Sequence, residues 1–445
     1  MYLTKFLCDS PGRTVLLSIF LTICLGTLLL MLPGAQRVPI SFIDCLFIAT
    51  SSTCVTGVLT VPFDSFTLLG KSIILALIQI GGIGLLTLWL FLVSLFVNLG
   101  ISTHYMLGQV FELTALKNPR TILYFIIGFT LISEFIGAVC IYALIADKYP
   151  YTEGLFYALF HSISSFCNGG LSIFGQNSLI PFKDNIPFLA VTGLLIILGS
   201  IGFITIYELF FYAKQRLLQK RFRVSLTTKV VIPVTALLIS SVTLLLIFIE
   251  GPSHYSTSPW YVTISNVLFN AIAYRGTGLT TININTMHTA TVFMIIMYSF
   301  IGSSPVSTGS GIKVTTLALF LATIRAVIKG RLVVELKGRR IPQDQIFKAM
   351  AILALSVCWI TVSIFCLALI EYKSSFISVF FEAVSSFTNL GLATDITPFL
   401  SIPGKLLIIL NMFMGRVGTL TLMLALRVHK ERVEFQYPEE RLMIS

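Results

Sequence analysis

The chain has 445 residues, of which 56% are hydrophobic and 11% are charged, and its formal net charge is +11. Soluble proteins carry about 25% charged residues, so this composition argues against a soluble enzyme or a nucleic-acid-binding protein and predicts an integral membrane protein. In a membrane protein the positive excess is expected in cytoplasmic loops rather than at a nucleic-acid site.

Uncharged stretches of about 20 residues predict membrane-spanning helices. In chain order they are Thr14–Leu32, Ser72–Asn98, Thr121–Ala146, Asn185–Tyr207, Val230–Ile249, Ala349–Ile370 and Lys405–Leu426, the third interrupted by Glu134 and the last by Arg416. A further stretch, Gly276–Ile312, is too long for one helix, and glycine, serine and Pro305 break its middle. Counted as one broken helix, it brings the prediction to eight spans.

Shorter apolar segments lie between alternate spans, and each ends in a loop that contains glycine. They are Phe42–Thr53, Gly154–Phe166, Trp260–Tyr274 and Phe376–Thr388. Segments of roughly 12–15 residues are too short to cross a bilayer and suit re-entrant helices. Irregular backbone at membrane depth is tolerated only where it is buried in protein or lines a water-filled cavity. These segments therefore predict a pore.

The distribution of positive charge orients the chain. Both chain ends and the loops on their side carry 21 of the 30 Lys and Arg residues, and the other side carries 7, Arg275 among them. Lys313 and Arg416 fall within the membrane. The positive-inside rule then predicts cytoplasmic termini and puts the re-entrant segments on the outer side.

Two sets of glycine motifs recur along the chain. The first set is SSTCVTGV (51–58), SSFCNGGL (164–171), AYRGTGL (273–279) and SSFTNLGL (385–392), whose glycines Gly57, Gly170, Gly278 and Gly391 are 113, 108 and 113 residues apart. The second set is GGIG (81–84), GSIG (199–202), GSGI (309–312) and GRVG (415–418). Similar segments at near-equal spacing indicate an internal repeat. We predict repeats at 1–115, 116–224, 225–340 and 341–445, the last with a cytoplasmic tail.

The predicted fold is an all-α integral membrane protein. Four tandem helix–re-entrant pore helix–helix repeats are arranged with pseudo-fourfold symmetry around one pore. Loop carbonyl oxygens around one axis can replace the hydration shell of a cation, so a pore of this kind needs no ring of acidic side chains. Glycine suits such loops because it reaches backbone angles that strain other residues and adds no side chain.

At these residues the chain resembles the Trk/Ktr/HKT superfamily of potassium transporters, and most closely its bacterial KtrB-type potassium-translocating subunit. The resemblance extends over essentially the whole chain. Because this sequence begins directly with the first repeat, we expect none of the extra N-terminal helices that are typical of TrkH-type members. It implies one K⁺-selective pore per chain, a homodimer and a bacterial plasma-membrane location. A serine accompanies sodium transport at the first filter position of some members, whereas this chain has Gly57.

The resemblance also implies which residues form the filter and the gate. K⁺, the only metal ion expected, would bind at the carbonyls of Val55, Thr56, Gly57, Asn168, Gly169, Gly170, Gly276, Thr277, Gly278, Asn389, Leu390 and Gly391. An intramembrane gating loop at 302–312 would comprise Gly302, Ser303, Ser304, Pro305, Ser307, Gly309 and Gly311, with Lys313 and Arg416 beside it. The residues alone leave two alternatives open: a kinked helix without a gating role, and an arginine paired at a helix contact.

The expected partners follow from the basic loops and from the resemblance. The runs at 214–223 and 329–340 suit anionic lipid head groups or a docked cytosolic subunit. The resemblance implies a ring of nucleotide-binding regulatory subunits, with K⁺ as the transported ion and Na⁺ as a candidate activator. The chain has no Walker-type phosphate-binding motif, so we do not expect it to hydrolyse ATP itself. We also expect no enzymatic activity and no cofactor.

Three other functions compete with a K⁺-selective pore. They are a sodium-permeable or weakly selective transporter of the same family, a carrier and an intramembrane enzyme. Carriers built from repeats commonly have inverted repeats and a midplane site, which same-direction repeats do not suggest. An enzyme would need a nucleophile–base or metal constellation within the spans, and the sequence shows none there.

Overall fold

The computed structural model describes residues 11–84, 87, 119–175, 178–220, 222–255, 258–331 and 333–418. The described residues form fourteen α-helices and one antiparallel hairpin. The helices are α1 (Pro11–Leu30), α2 (Phe42–Thr53), α3 (Leu68–Ile83), α4 (Pro119–Ile145), α5 (Tyr151–Phe166), α6 (Ile186–Ser200), α7 (Phe203–Leu217), α8 (Leu226–His254), α9 (Trp260–Ala273), α10 (Thr289–Phe300), α11 (Val314–Ile328), α12 (Gln343–Ile370), α13 (Phe376–Thr388) and α14 (Ile402–Val417). The hairpin pairs β1 (Glu335–Leu336) with β2 (Arg339–Arg340). The predicted cytoplasmic tail at 427–445 and nearly all of the predicted loop at 99–120 lie outside the described residues.

Four of the described helices are long and apolar enough to cross a membrane, and they match predicted spans. The matching segments are Arg13–Leu30, Thr121–Ile145, Leu226–His254 and Gln343–Ile370, in α1, α4, α8 and α12. Large apolar side chains are exposed on these helices, for example Phe135 (69% exposed) in α4 and Phe248 (76% exposed) in α8. Apolar surface of this extent suits contact with lipid.

The short apolar segments form helices α2, α5, α9 and α13, as predicted. Two of them have the predicted bounds, α5 begins at Tyr151 and α9 ends at Ala273. The Oγ atoms of Ser41 and Ser375 cap α2 and α13 by accepting backbone N–H bonds at the first turn. Each short helix also packs against a helix from another part of the chain: α2 on α14, α5 on α3, α9 on α6 and α13 on α10. The short helices and their neighbours therefore interlock around the molecule.

The predicted continuous spans Ser72–Asn98, Asn185–Tyr207 and Lys405–Leu426 each break within the described residues. Of these spans, residues 85, 86, 88–98 and 419–426 lie outside the described residues. Helices α3 and α14 end at Ile83 and Val417, and α6 meets α7 at an angle of 101°. The last glycine of each second-set motif follows the break: Gly84, Gly202 and Gly418 have φ values of +86°, +95° and +84°. The motifs therefore end helices, which the sequence analysis had expected only in the third repeat.

The bend between α6 and α7 is stabilised by the segment that follows α10. The backbone N–H of Phe203 donates to the carbonyl of Val306 over 2.8 Å, and the N–H of Ser304 donates to the carbonyl of Ser200 over 3.1 Å. These bonds replace helical ones that the break removes, so the polar backbone stays satisfied at membrane depth.

We expect Gly202→Ala to lower the melting temperature of the purified protein by several degrees. A methyl carbon there would lie 2.6 Å from the carbonyl oxygen of Pro305, at a φ that L side chains rarely adopt. The left-handed conformation alone costs about 1–2 kcal/mol. Thermal unfolding in detergent measures the loss. Gly128→Ala in α4, where a methyl group meets no neighbour within 4 Å, is the control and should unfold no earlier than the native chain. Equal melting temperatures for both variants would contradict this explanation of the bend.

Candidate functional site

The four glycines of the first motif set lie next to one another at the C-terminal ends of the short helices. All have positive φ, between +67° and +93°. A methyl group on any of them would collide with the backbone of another loop: Gly57 with the Gly169 oxygen at 2.5 Å, Gly170 with the Thr277 oxygen, Gly278 with the Gly391 carbonyl carbon at 2.5 Å, and Gly391 with the Thr56 oxygen. The contacts run from the first loop through the second, third and fourth and back to the first. The loops therefore close a ring, here called the glycine ring, and only glycine fits it.

Backbone carbonyl oxygens lie within these contacts. A methyl group on Gly391 would collide with the Thr56 oxygen and lie 3.3 Å from the Thr277 oxygen. A methyl group on Gly170 would collide with the Thr277 oxygen and lie 3.3 Å from the Thr56 oxygen. Both oxygens belong to the residue just before a ring glycine. Carbonyl oxygens in this arrangement are ligands of the kind that replace the hydration shell of K⁺.

In three of the four loops, the residue two positions before the ring glycine also has a left-handed backbone conformation. Val55, Asn168 and Asn389 have φ values of +58°, +60° and +53°. This conformation is tolerated by asparagine but is an outlier for a β-branched residue such as Val55. Strained backbone persists only where its surroundings enforce it, and it clusters at functional sites. In the third loop the equivalent residue is Gly276, whose φ is not in this range and where a methyl group would meet nothing within 4 Å.

An irregular loop interrupts the chain between α10 and α11, as the sequence predicted for 302–312. The two ends of the loop lie side by side, and there the N–H of Gly302 donates to the Ile312 carbonyl over 2.9 Å. Its far end packs on α6, where the N–H of Thr308 donates to the Gly199 carbonyl over 3.1 Å. The Nδ2 atom of Asn168 donates to Thr308 Oγ1 over 2.6 Å, so the loop also reaches the glycine ring.

Three cationic side chains, the buried Arg275 and the half-buried Lys313 and Arg416, donate to the backbone of this loop. Arg416 donates from Nη1 to the Thr308 carbonyl over 2.5 Å and from Nη2 to the Gly81 carbonyl. Lys313 Nζ donates to the Gly309 carbonyl over 2.8 Å, and Arg275 Nε donates to the Gly302 carbonyl over 3.2 Å. Among the described residues, no ion pair includes any of the three. Carbonyl dipoles therefore offset charges that are costly to bury.

The position of Arg275 corrects a sequence prediction. The sequence analysis counted it with the outer loops, but it is 4% exposed and its Nη2 atom is buried without a hydrogen-bond partner. The signal that could have revealed this is its place inside the third motif of the first glycine set, directly before Gly276.

A cavity of about 330 Å³ lies beside the loop and Arg416. Helices α1, α2, α3, α7 and α14 contribute to its wall, and the loop lines it with Ser307, Gly309, Ser310 and Gly311. Lys313 and Arg416 also line it. A cation in this cavity would therefore meet two positive side chains, which repel it most strongly where water is scarce.

Comparison with known proteins places these features in a family. Residues 16–436 match the family model TrkH, described as a cation transport protein. The potassium/sodium uptake protein NtpJ of Enterococcus hirae is 31% identical, over 98% of this chain and 97% of that protein. The Ktr system potassium uptake proteins B of Bacillus subtilis and Vibrio alginolyticus are 30% and 32% identical, over 98% and 97% of this chain and 97% and 94% of those proteins.

The fold is also similar to a solved structure. The crystal structure of the potassium transporter TrkH from Vibrio parahaemolyticus superposes with a TM-score of 0.74, covering 94% of this chain and 86% of that one, at 18% identity. At this identity the likeness extends to the fold alone.

Proposed function

The chain belongs to the TrkH family of cation transport proteins, and we propose that it is the K⁺-selective translocation subunit of a K⁺ uptake system. The family consists of ion transporters, so the chain is not an enzyme. The observation that carries the proposal is the glycine ring, because carbonyls held between four glycine-only positions can replace the hydration shell of K⁺. The names of the Bacillus subtilis and Vibrio alginolyticus relatives agree with K⁺ as the ion.

The proposed filter comprises the twelve predicted residues of the four loops, three from each. In the proposed architecture, four repeats (1–115, 116–224, 225–340 and 341–445) surround one pore with pseudo-fourfold symmetry. Two observations support it. The short helices interlock with helices of other repeats in a cyclic order, and three second-set motifs end helices at an equivalent glycine.

The proposed gate is the loop 302–312 together with Lys313 and Arg416. K⁺ would shed water in the filter, pass the loop when it moves, and reach the cytoplasm down its electrochemical gradient. The charges that line the cavity support a closed pathway in this conformation. Within the part of the chain that the structure describes, neither Lys313 nor Arg416 pairs with a carboxylate, which supports the same interpretation, since a cation paired at a helix contact would be expected to face one.

The proposed setting is the bacterial plasma membrane, with both termini cytoplasmic and two chains forming a homodimer. A ring of cytosolic nucleotide-binding subunits would regulate the gate, and anionic lipid would contact the basic loops. Two relatives are named as parts of a Ktr system, which supports partner subunits. The exposed basic hairpin at 335–340, which follows α11, offers a cytoplasmic docking point.

Tracer rubidium uptake into liposomes that contain the purified chain tests the proposal. We expect external K⁺ to block uptake and an equal concentration of Na⁺ to leave it nearly unchanged. Protein-free liposomes give the background. Because a closed gate would also abolish flux, the assay is run in parallel on Arg416→Ala, which removes one gate charge. No uptake in either protein would refute the proposed function.

A second candidate is a sodium-permeable or weakly selective transporter, with Na⁺ as a substrate rather than an activator. The name of the Enterococcus hirae relative, a potassium/sodium uptake protein, favours it. Equal competition by Na⁺ and K⁺ in the same assay would support this function in place of the first. Stimulation of rubidium uptake by Na⁺ would instead indicate activation.

A further inference from the structure

The ring loops are of two kinds, and the difference lies in polar side chains. The second and fourth loops carry Asn168 and Asn389 two residues before the glycine. The first and third loops carry Thr56 and Thr277 one residue before it. Thr277 Oγ1 donates to Asn168 Oδ1 over 2.6 Å, and Thr56 Oγ1 donates to Asn389 Oδ1 over 3.2 Å. Each asparagine therefore accepts a hydrogen bond from another filter loop.

The same asparagines donate in the opposite direction, to the intramembrane loop. Asn168 Nδ2 donates to Thr308 Oγ1 over 2.6 Å, and Asn389 Nδ2 donates to Ser310 Oγ over 3.0 Å. All four side chains are buried, at most 7% exposed. Left-handed backbone at Asn168 and Asn389 accompanies this placement, in a conformation that asparagine tolerates better than most residues.

Arg416 holds the same part of the loop from another direction. Its Nη1 atom donates to the Thr308 carbonyl over 2.5 Å and to Ser310 Oγ over 3.3 Å. The two loop residues held by the arginine are thus the two that accept from the filter asparagines. A movement of the loop that carries Thr308 and Ser310 away from Arg416 would also carry them away from Asn168 and Asn389. Asn168 Nδ2 would then lose its acceptor, which costs about 1–3 kcal/mol for a buried group, whereas Asn389 Nδ2 would keep its bond to the Cys54 carbonyl at 3.1 Å.

We propose that Asn168 and Asn389 are positioning residues that couple the glycine ring to the intramembrane loop. Ion selectivity then depends on whether Thr308 and Ser310 accept the hydrogen bonds of these two asparagines. The inference rests on the proposed function. It assigns a role in determining ion specificity to the side chains of Thr308 and Ser310, which lie in the intramembrane loop and outside the four filter loops. An independent gate would change how much K⁺ passes but leave the preference for K⁺ over Na⁺ unchanged.

Substitution of Thr308 tests the coupling without altering any filter residue. Thr308→Val keeps the shape and removes the acceptor for Asn168, together with the bonds that the hydroxyl donates to the carbonyls of Phe166 and Gly199. Thr308→Ser keeps the hydroxyl. We expect Thr308→Val to lower the K⁺/Na⁺ ratio in rubidium competition by about two- to tenfold, the effect of losing the bond from Asn168. Thr308→Ser should restore most of the native ratio. Ser310→Ala should also lower the ratio, through Asn389.

Ser307→Ala is the matched control in the same loop. Ser307 Oγ donates to the Ser304 carbonyl over 2.6 Å and to Ser303 Oγ over 2.9 Å, and both partners belong to the loop. This variant should change the uptake rate without changing the K⁺/Na⁺ ratio. Asn168→Ala combined with Thr308→Val should be no worse than the more impaired single variant.

The outcomes separate this inference from the proposed function. If the native chain selects K⁺ and both Thr308→Val and Ser310→Ala change only the rate, the coupling is refuted while the K⁺ pathway stands. A fall in ratio for Ser307→Ala equal to that for Thr308→Val would also refute it. If the native chain does not select K⁺, the proposed function fails first. Size-exclusion profiles of every variant exclude misfolding, and Ser310→Ala decides the question if Thr308→Val does not fold.

Discussion

Arg416→Ala is expected to raise K⁺ flux through the purified chain by about tenfold or more. The substitution removes a positive charge from the cavity wall, the bonds to Thr308 and Ser310 of the intramembrane loop, and the bond to the Gly81 carbonyl that ties this loop to α3. Two unit charges at about 4 Å interact with about 1–4 kcal/mol in surroundings between bulk water and a protein surface. A barrier lower by 1.4 kcal/mol raises a rate about tenfold. Initial rubidium uptake rates in liposomes, at matched protein content, measure the effect.

Arg416→Lys separates the charge from the geometry. Lysine keeps the charge but lacks the planar fork that reaches Thr308 and Gly81 together. If K⁺ flux rises only in Arg416→Ala, the positive charge forms the barrier. If flux rises in both variants, the barrier comes from the hydrogen bonds by which the guanidinium group holds the loop. Unchanged flux in a folded Arg416→Ala protein would support the alternative that the sequence left open, an arginine with a role only at a helix contact.

The short helices could be predicted from the sequence because their signal is local. Apolar segments such as Phe376–Thr388 are too short to span, and each is followed by a glycine motif. The ring glycines were found in the same way, by the spacing of similar loops. An internal repeat implies that its equivalent loops converge on one axis. The contacts of Gly57 and Gly170 with other loops could therefore be expected from the sequence.

The bend at Gly202 could not be predicted, because its cause is distant in sequence. The stretch Asn185–Tyr207 is uniformly apolar and predicts a straight span. Its break is stabilised by Ser304 and Val306, about a hundred residues further along the chain. Arg275 was misplaced for a related reason. A charge count assigns loops to sides of the membrane, but it cannot register that one side chain turns back to the Gly302 carbonyl.

The side-chain hydrogen bonds of Asn168 and Asn389 also could not be predicted from the sequence. The sequence predicted that both residues provide backbone carbonyl ligands to the ion, from their place before a ring glycine. Their side-chain bonds to Thr308 and Ser310 depend on where the intramembrane loop sits. Asymmetry among similar loops was the available signal, since asparagine occupies this position in two loops and Val55 and Gly276 occupy it in the others.

Gly278→Ala is expected to abolish selective K⁺ uptake, whereas Gly276→Ala, two residues earlier in the same loop, should largely preserve it. A methyl carbon at Gly278 would lie 2.5 Å from the Gly391 carbonyl carbon, at a φ of +68°. Ordinary carbon contacts are about 3.5–4.0 Å, so the fourth loop would have to move. At Gly276 the added methyl group meets nothing within 4 Å and φ is ordinary.

The pair discriminates between two explanations of the glycine motifs. If glycine were needed only to let the third loop bend, both variants should be impaired alike. If it is needed where carbonyl-bearing loops touch, only the ring position should be sensitive. Rubidium uptake with K⁺ and Na⁺ competition measures both variants, and thermal unfolding in detergent confirms that they fold. Retained selectivity in Gly278→Ala would mean that the glycine ring is not the filter, because a displaced fourth loop cannot keep its carbonyls on the same ion.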